Sequence, residues 1–294
     1  MKNRFVSAII TAFKEPKTIG RAIKAIAMQK VADEIIISAP DKETLSVARK
    51  LSSKYKNIRL VKDEGLGKPA ALNLAVSKAR GDILILTDGD VYVSKDSLRF
   101  LMKKLKDRNI GAVSGKPVSL NSKTNKYGFW ANMLTMVADE IRKESVANDK
   151  RFFCSGYLFA IRKKLFPKLP KNLLSEDGYI SHKVYEKEFK IDYAENARVF
   201  VKYPDNFSDW IKQKKRSAGG YNQMKILIGT QMRSFGSESR GTFRFFKFVR
   251  NIQQLWWLLE LLSARLYLWY AIYRDVNFKK KSHKELWLRV ESTK

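Results

Sequence analysis

The sequence predicts an α/β fold: a doubly wound, mostly parallel sheet with helices on both faces. Three observations predict it. Short apolar runs rich in β-branched residues recur over 5–11, 34–38, 58–61 and 83–86. They show little in–out alternation, so both faces of each strand are expected to be covered, as in a parallel sheet under helices. The segments between them carry apolar residues at helical spacing, which gives the strand–helix alternation of a parallel sheet. Carboxylates close two of the runs, Asp41 after the second and Asp88 with Asp90 after the fourth. Ligands bind open α/β sheets outside these carboxyl ends.

Each element follows in order. After the strand over 5–11, a polar turn at 14–17 leads into a helix over 18–29, where Ile19, Ala22, Ile23 and Ile26 mark one face. The strand over 34–38 ends at Ala39-Pro40-Asp41, and a helix over 42–54 and the short strand over 58–61 follow. Gly65-Leu66-Gly67-Lys68-Pro69 is a turn whose proline suits a first helical turn. The helix over 70–79 presents Ala71, Leu72 and Ala75, and the strand over 83–86 runs into Asp88-Gly89-Asp90. Two carboxylates around a glycine fit a hard divalent cation that in turn holds phosphate. They also fit an ordinary Asp-Gly turn.

Beyond residue 91 the pattern changes. A helix over 97–106, a strand over 111–115 and a helical segment over 125–142 are expected. The break Cys154-Ser155-Gly156 precedes a β-type run at 157–161. Ser175 is the expected cap of a helix over 179–187, and 202–220 reads as basic and turn-rich, ending in Ala218-Gly219-Gly220. Between 251 and 274, Trp256, Trp257, Tyr267, Trp269, Tyr270 and Tyr273 stand among leucines. Glu260 and Arg265 interrupt the run, against a transmembrane helix of about 20 apolar residues. On a helical wheel Arg250, Gln253, Gln254, Glu260 and Arg265 gather on one side. Such a helix, beside basic 202–250 and Lys279-Lys280-Lys281, suits a membrane interface. A core helix or an oligomer interface is the alternative.

The chain has 294 residues and a net charge of +29, which bears on partners and not on fold. An anionic membrane, phosphorylated small molecules and nucleic acid all fit that charge. One cysteine, Cys154, excludes an intrachain disulfide. His182 and His283 are too far apart for a Cys/His zinc site. The N-terminus lacks a signal-peptide pattern, so a cytoplasmic location, peripheral on the membrane face, is expected.

These motifs resemble the inverting nucleotide-sugar glycosyltransferases of family 2, with the GT-A fold. The opening VSAIITAFKEPKTIGRAIKAIAMQ is similar to that family's first strand, turn and helix. Gly67-Lys68 followed by Ala71-Leu72-Asn73 resembles its Gly-Lys and Ala-Leu-Asn segment, Asp88-Gly89-Asp90 its metal-binding Asp-x-Asp, and Glu176-Asp177 its Glu-Asp pair. Gln213-Lys214-Lys215-Arg216 resembles the Gln-x-x-Arg of processive synthases, but Ser217 replaces the usual tryptophan. The similarity covers about residues 5–220.

The resemblance implies a catalytic domain over 1–220, with a donor half to about 115 and an acceptor half over 116–220. A helical C-terminal region over 221–294 would follow. It implies Asp90 as direct ligand of Mn²⁺ or Mg²⁺, with Asp88 acting directly or through water. Thr11, Ala12, Glu15, Asp41, Lys68 and Asp88 would line the nucleotide-sugar donor, Asp41 meeting the base and favouring uridine. Asp177 would be the base and Glu176 its partner, or the reverse. Gly156, Gln213 and Arg216 would face the acceptor or its phosphate. A polyprenyl-phosphate or lipid-linked saccharide acceptor suits the basic, aromatic tail. A nucleotidyltransferase would need a glycine-rich basic turn where Ala12-Phe13-Lys14-Glu15 stands. A nucleic-acid-binding protein would interleave its aromatics with its basic residues, which this chain does not.

Overall fold

The computed structural model describes residues 4–229, 242–277 and 292–293. Lys279-Lys280-Lys281 and His283 lie outside the described residues. The first half alternates as expected: β1 (Val6–Thr11), α1 (Ile19–Ala27), β2 (Glu34–Ala39), α2 (Lys42–Ser52), β3 (Ile58–Lys62), α3 (Lys68–Lys78) and β4 (Ile83–Asp88). There follow β5 (Tyr92–Val93), α4 (Ser97–Lys104), β6 (Ile110–Ser119), α5 (Lys126–Ala147), β7 (Leu158–Arg162), α6 (Glu176–Glu186), β8 (Lys190–Val201), α7 (Phe207–Ile228) and α8 (Ile252–Asn277). A single eight-stranded sheet has the order β3-β2-β1-β4-β7-β6-β8-β5.

β1 to β4 are mutually parallel, and β6 runs parallel to β8, whereas β7 is antiparallel to both of its neighbours. The inner strands are buried on both faces, as their unbroken apolar runs require. One face carries Ile10, Ile37 and Ile85 against α1, α2 and α4. The other carries Ile9, Ile36, Leu84 and Leu86 against α3, α6 and Met224 of α7. Asp88 continues the second set, so its side chain belongs on the face where α3 and α6 begin.

The structure corrects two expectations. Residues 202–220 are not turn-rich: 207–228 is one helix, which runs across the boundary expected at 220. Its Gly220 serves a close approach, since a Cβ there would stand 2.8 Å from Ser175 Cβ. α6 starts at Glu176, three residues earlier than expected, so Ser175 is its N-cap residue, but the Ser175 hydroxyl donates to Asp177 and makes no capping hydrogen bond to the helix backbone. Of the polar residues gathered on one side of α8, Gln253 is exposed and Glu260 and Arg265 are half-buried. Glu260 pairs with Lys126 at 3.1 Å, and the Arg265 guanidinium lies over Phe245.

The interior side of α8 places Leu258, Leu261, Ala264 and Leu268 against Phe129, Trp130, Met133 and Trp210. This third core joins α8 to α5 and α7. The outer side leaves Ile252, Trp256, Leu259, Leu266, Tyr267 and Tyr270 exposed. Among the described residues no helix is long and apolar enough to cross a membrane.

Candidate active site

The residues expected to bind the donor meet at the carboxyl ends of β1, β2 and β4. Gly89 N–H donates to Thr11 C=O, which holds the strand ends together beyond the sheet register. Thr11 Oγ1 donates to Asp88 Oδ1 at 3.3 Å. A Cβ on Gly89 would lie 2.5 Å from Glu15 Oε2 and 2.7 Å from Ala12 Cβ. Thr11, Ala12 and Glu15 are therefore packed on the Asp88-Gly89-Asp90 turn, and only glycine fits between the two aspartates. Asp41 lies beside the same loop. One of its oxygens accepts from Lys14 N at 2.8 Å and the other caps α2 through Thr44 N. These donors and the Thr44 hydroxyl hold its carboxyl below the usual range despite its burial.

Lys68, the first residue of α3, connects the two halves of the site. Its ammonium lies 2.7 Å from Asp88 Oδ1 and 2.6 Å from Glu176 Oε1. The Gly67 that precedes it has φ +97°, a conformation that glycine adopts freely, and this turn aims Lys68 into the site. Burial penalises the lysine's charge, yet the two carboxylates raise its pKa well above the ordinary value. α3 is also tied to the chain leading into α6. Asn73 Nδ2 donates to Leu169 C=O, and Leu169 N–H returns to Asn73 Oδ1. The asparagine of the Ala-Leu-Asn segment thus fixes where the Glu-Asp pair arrives.

Glu176 and Asp177 occupy the first turn of α6, where a helix N-terminus favours negative charge. Their environments separate them. Burial pushes both up, but Lys68 overcomes it at Glu176 and holds that carboxyl low. Asp177 is pushed up by burial and then by the Glu176 charge, although Ser175 Oγ, Gly178 N–H and Gly156 N–H donate to it. Asp88 is also pushed up, by burial and the neighbouring Asp90 charge. Gly156 thus touches the Glu-Asp pair itself, its N–H standing 3.0 Å from Asp177 Oδ2.

Arg216 projects from α7, and its charge acts on Glu176 and on the Tyr157 phenol. Gln213 stands one turn earlier on the same helix. Gly220, one turn later, packs on Ser175 and sets the distance between α7 and α6. Gly220→Ala is expected to raise intrinsic helix propensity by about 1 kcal/mol yet lower stability by about 1–3 kcal/mol through overpacking. Thermal unfolding checks the sign, and a stabilised variant would refute the close contact.

Two site residues have no signal in the sequence. Tyr157 continues the β4–β7 pairing beside Asp88, its carbonyl accepts from Thr87, and Asp90, Asp88 and Asp177 all act on its phenol. Tyr203 hydrogen-bonds that phenol, and the two rings meet edge-on at 6.1 Å. The pairing of β7 with β4 brings in Tyr157, and Tyr203, just past the end of β8, packs on it, so spacing along the chain could not reveal them. His182, paired with Glu186, and Cys154, buried with its thiol pushed up to about 12, have no place in this chemistry.

Two carboxylates of the kind a hard divalent cation takes stand close together here. Asp88 and Asp90 lie on either side of Gly89, with the Lys68 ammonium on Asp88. Among the described residues no group of three or more His, Cys, Asp or Glu could hold a metal ion. Magnesium-type sites complete such a set with substrate phosphate. The N-termini of α3 and α6 open on the same side, where their dipoles favour a phosphate-bearing ligand.

A mixed sheet with a double aspartate at its central strand end, facing a buried Glu-Asp pair, defines the GT-A class of folds. The chain belongs to the family Glycosyl transferase family 2, whose model matches residues 7–169, more than half its length. It is 27% identical over 240 residues to a Bacillus subtilis protein described as "Probable glycosyltransferase YdaM", covering 76% of this chain and 56% of that protein. It is 23% identical over 275 residues to the poly-beta-1,6-N-acetyl-D-glucosamine synthase of Staphylococcus aureus (strain COL), covering 90% and 64%. The chain thus spans less than two thirds of these relatives. A solved mannosyltransferase from Pyrobaculum calidifontis, in complex with GDP-Man and Mn²⁺, shares the fold with a TM-score of 0.66 at 16% identity. That match covers 96% of this chain and 89% of that one. Glucosyl-3-phosphoglycerate synthase from Mycobacterium tuberculosis, in complex with Mn²⁺, UDP and glucosyl-3-phosphoglycerate, gives a TM-score of 0.56 at 17% identity, covering 80% of this chain and 82% of that one.

Proposed function

We propose that the protein transfers a sugar from a nucleotide-diphosphate donor to an acceptor hydroxyl, with inversion at the anomeric carbon. One observation carries this reading: Lys68 joins the donor-side Asp88 to the Glu-Asp pair at 2.7 and 2.6 Å. Donor and base are thereby confined to one compartment. Asp90 and Asp88 would hold Mn²⁺ or Mg²⁺, which supplies charge neutralisation for the leaving diphosphate. Lys68 and Arg216 add positive charge on the same side, where a guanidinium can take two phosphate oxygens at once. Asp177 receives the acceptor hydroxyl proton on its carboxylate while that oxygen attacks from the face opposite the leaving group. Glu176, kept ionised by Lys68, keeps the proton affinity of Asp177 high. Asp41 meets the base, which favours a uridine donor. Glu15 holds the donor loop, and Gln213 and Gly156 line the acceptor side.

The acceptor is a saccharide, free or linked to a polyprenyl phosphate. The charge of +29 supports attachment to an anionic cytoplasmic membrane face at about 1 kcal/mol per near-surface Lys or Arg. The test is donor binding across a panel of UDP-, GDP- and dTDP-sugars with Mn²⁺, Mg²⁺ or EDTA, with sedimentation on anionic vesicles at low and high salt. One donor is expected to bind with metal, and Asp90→Ala to lose that binding. Vesicle binding is expected to weaken with salt. Folded protein that binds no nucleotide-sugar would sink the transferase reading.

A further inference from the structure

A groove of about 430 Å³ opens where α5, α7 and α8 meet, and the proposed reaction does not use it. Tyr127, Trp130, Phe207, Trp256 and Tyr267 supply its rings, with Lys126, Glu260 and Ser263 between them. Trp130 forms a fixed wall: it is buried, and its indole N–H donates to Trp257 C=O at 2.7 Å. Trp256, Phe207 and Tyr267 present free ring surface at 64%, 40% and 48% exposure. Phe207 and Tyr267 lie with ring centroids 6.1 Å apart, so two of these platforms share one wall.

The groove is separate from the catalytic cleft. Phe207 and Arg216 lie nine residues apart on α7, half a turn out of phase and about 14 Å apart along its axis. Arg216 faces Glu176, whereas Phe207 stacks on Trp210 and faces α8. The Lys126–Glu260 pair, each side chain about one-third exposed, sits among the rings.

The geometry points to a second saccharide-binding site in this groove, one that holds an oligosaccharide chain away from the reacting hydroxyl. Resting on the transferase reading, the inference follows from the chemistry of the lining. Pyranose rings present C–H faces that pack on flat aromatic surface, while their hydroxyls can donate to Glu260 and accept from Lys126. An alkyl or prenyl chain would cover the same ion pair without any hydrogen bond in return, and desolvating such a pair is costly. Pockets lined by aromatics with a few convergent polar groups are the usual form of a small-ligand site.

The test titrates the full chain calorimetrically with cellotetraose, maltotetraose and a β-1,6-linked N-acetylglucosamine tetramer, with donor binding measured on the same preparations. Variants are Trp256→Ala, which removes an exposed ring, and Ser263→Trp, which fills the groove and removes no core residue. Ile252→Ala, fully on the outer surface of α8, is the control. At least one tetrasaccharide is expected to bind, with both groove variants weakening it tenfold or more and the control leaving it unchanged. Donor binding without any tetrasaccharide binding overturns the groove alone, as does saccharide affinity equal in all variants. Vesicle binding lost in Trp256→Ala, with saccharide affinity unchanged, overturns it in favour of a lipid contact. Binding of neither donor nor saccharide removes the transferase reading and the groove with it.

Discussion

Asp177→Asn is expected to lower kcat by about 10³-fold while nucleotide-sugar affinity stays within about threefold. A positioned general base contributes about 10²–10⁴-fold, and the amide keeps the shape and, through its one oxygen, the donors from Ser175 and Gly178, but its NH2 faces Gly156 N–H and cannot take a proton. Asp177 works only when deprotonated. Burial and the Glu176 charge raise its pKa, so activity falls as pH drops through a value above the ordinary aspartate value of about 3.9. A kcat/KM profile whose acid limb sits above that value is the expected signature. A profile flat to pH 4, or an Asn variant with near wild-type turnover, would move the base elsewhere, with Glu176 the next candidate.

Lys68→Met carries the second large effect. The ammonium touches both Asp88 and Glu176, and its side chain is 27% exposed. Its loss leaves those carboxylates repelling each other in a partly dry site. A broken buried pair costs about 3–5 kcal/mol, and the partial exposure argues for the lower end. In the proposed site a divalent cation would neutralise Asp88 as Lys68 does, so Mn²⁺ is expected to raise the melting temperature more in Lys68→Met than in the wild type. Turnover is expected to fall about 10²-fold, because Glu176 then loses the charge that keeps it ionised. Equal melting temperatures for variant and wild type, with and without metal, would show that the lysine carries no such load.

The first four strands, their helices and the Asp88-Gly89-Asp90 turn were legible in the sequence because each rests on local pattern. Runs such as Ile35–Ile37 need cover on both faces, and a glycine between two aspartates after such a run marks a turn at a strand's carboxyl end. The resemblance then placed Lys68 and the Glu-Asp pair in one site. Their sharing of a single ammonium is a tertiary fact. It depends on Asn73 tying α3 to Leu169, two residues far apart in the chain.

Where local pattern misled, long-range packing was the reason. Gly219-Gly220 reads as a chain break, but Gly220 is in a helix because Ser175 comes within reach of its missing Cβ. Glu260 and Arg265 mark a polar side of α8 in the sequence, and only the structure shows that Lys126 and the Phe245 ring lie against them. The aromatics of α8 then divide into core and surface, which residue type alone cannot do. The sequence by itself determined the first four strands, the aspartates at the carboxyl end of the fourth and the chemistry they suit. The tertiary structure alone decided which carboxylate keeps its proton affinity, since that depends on which buried neighbour lies beside it.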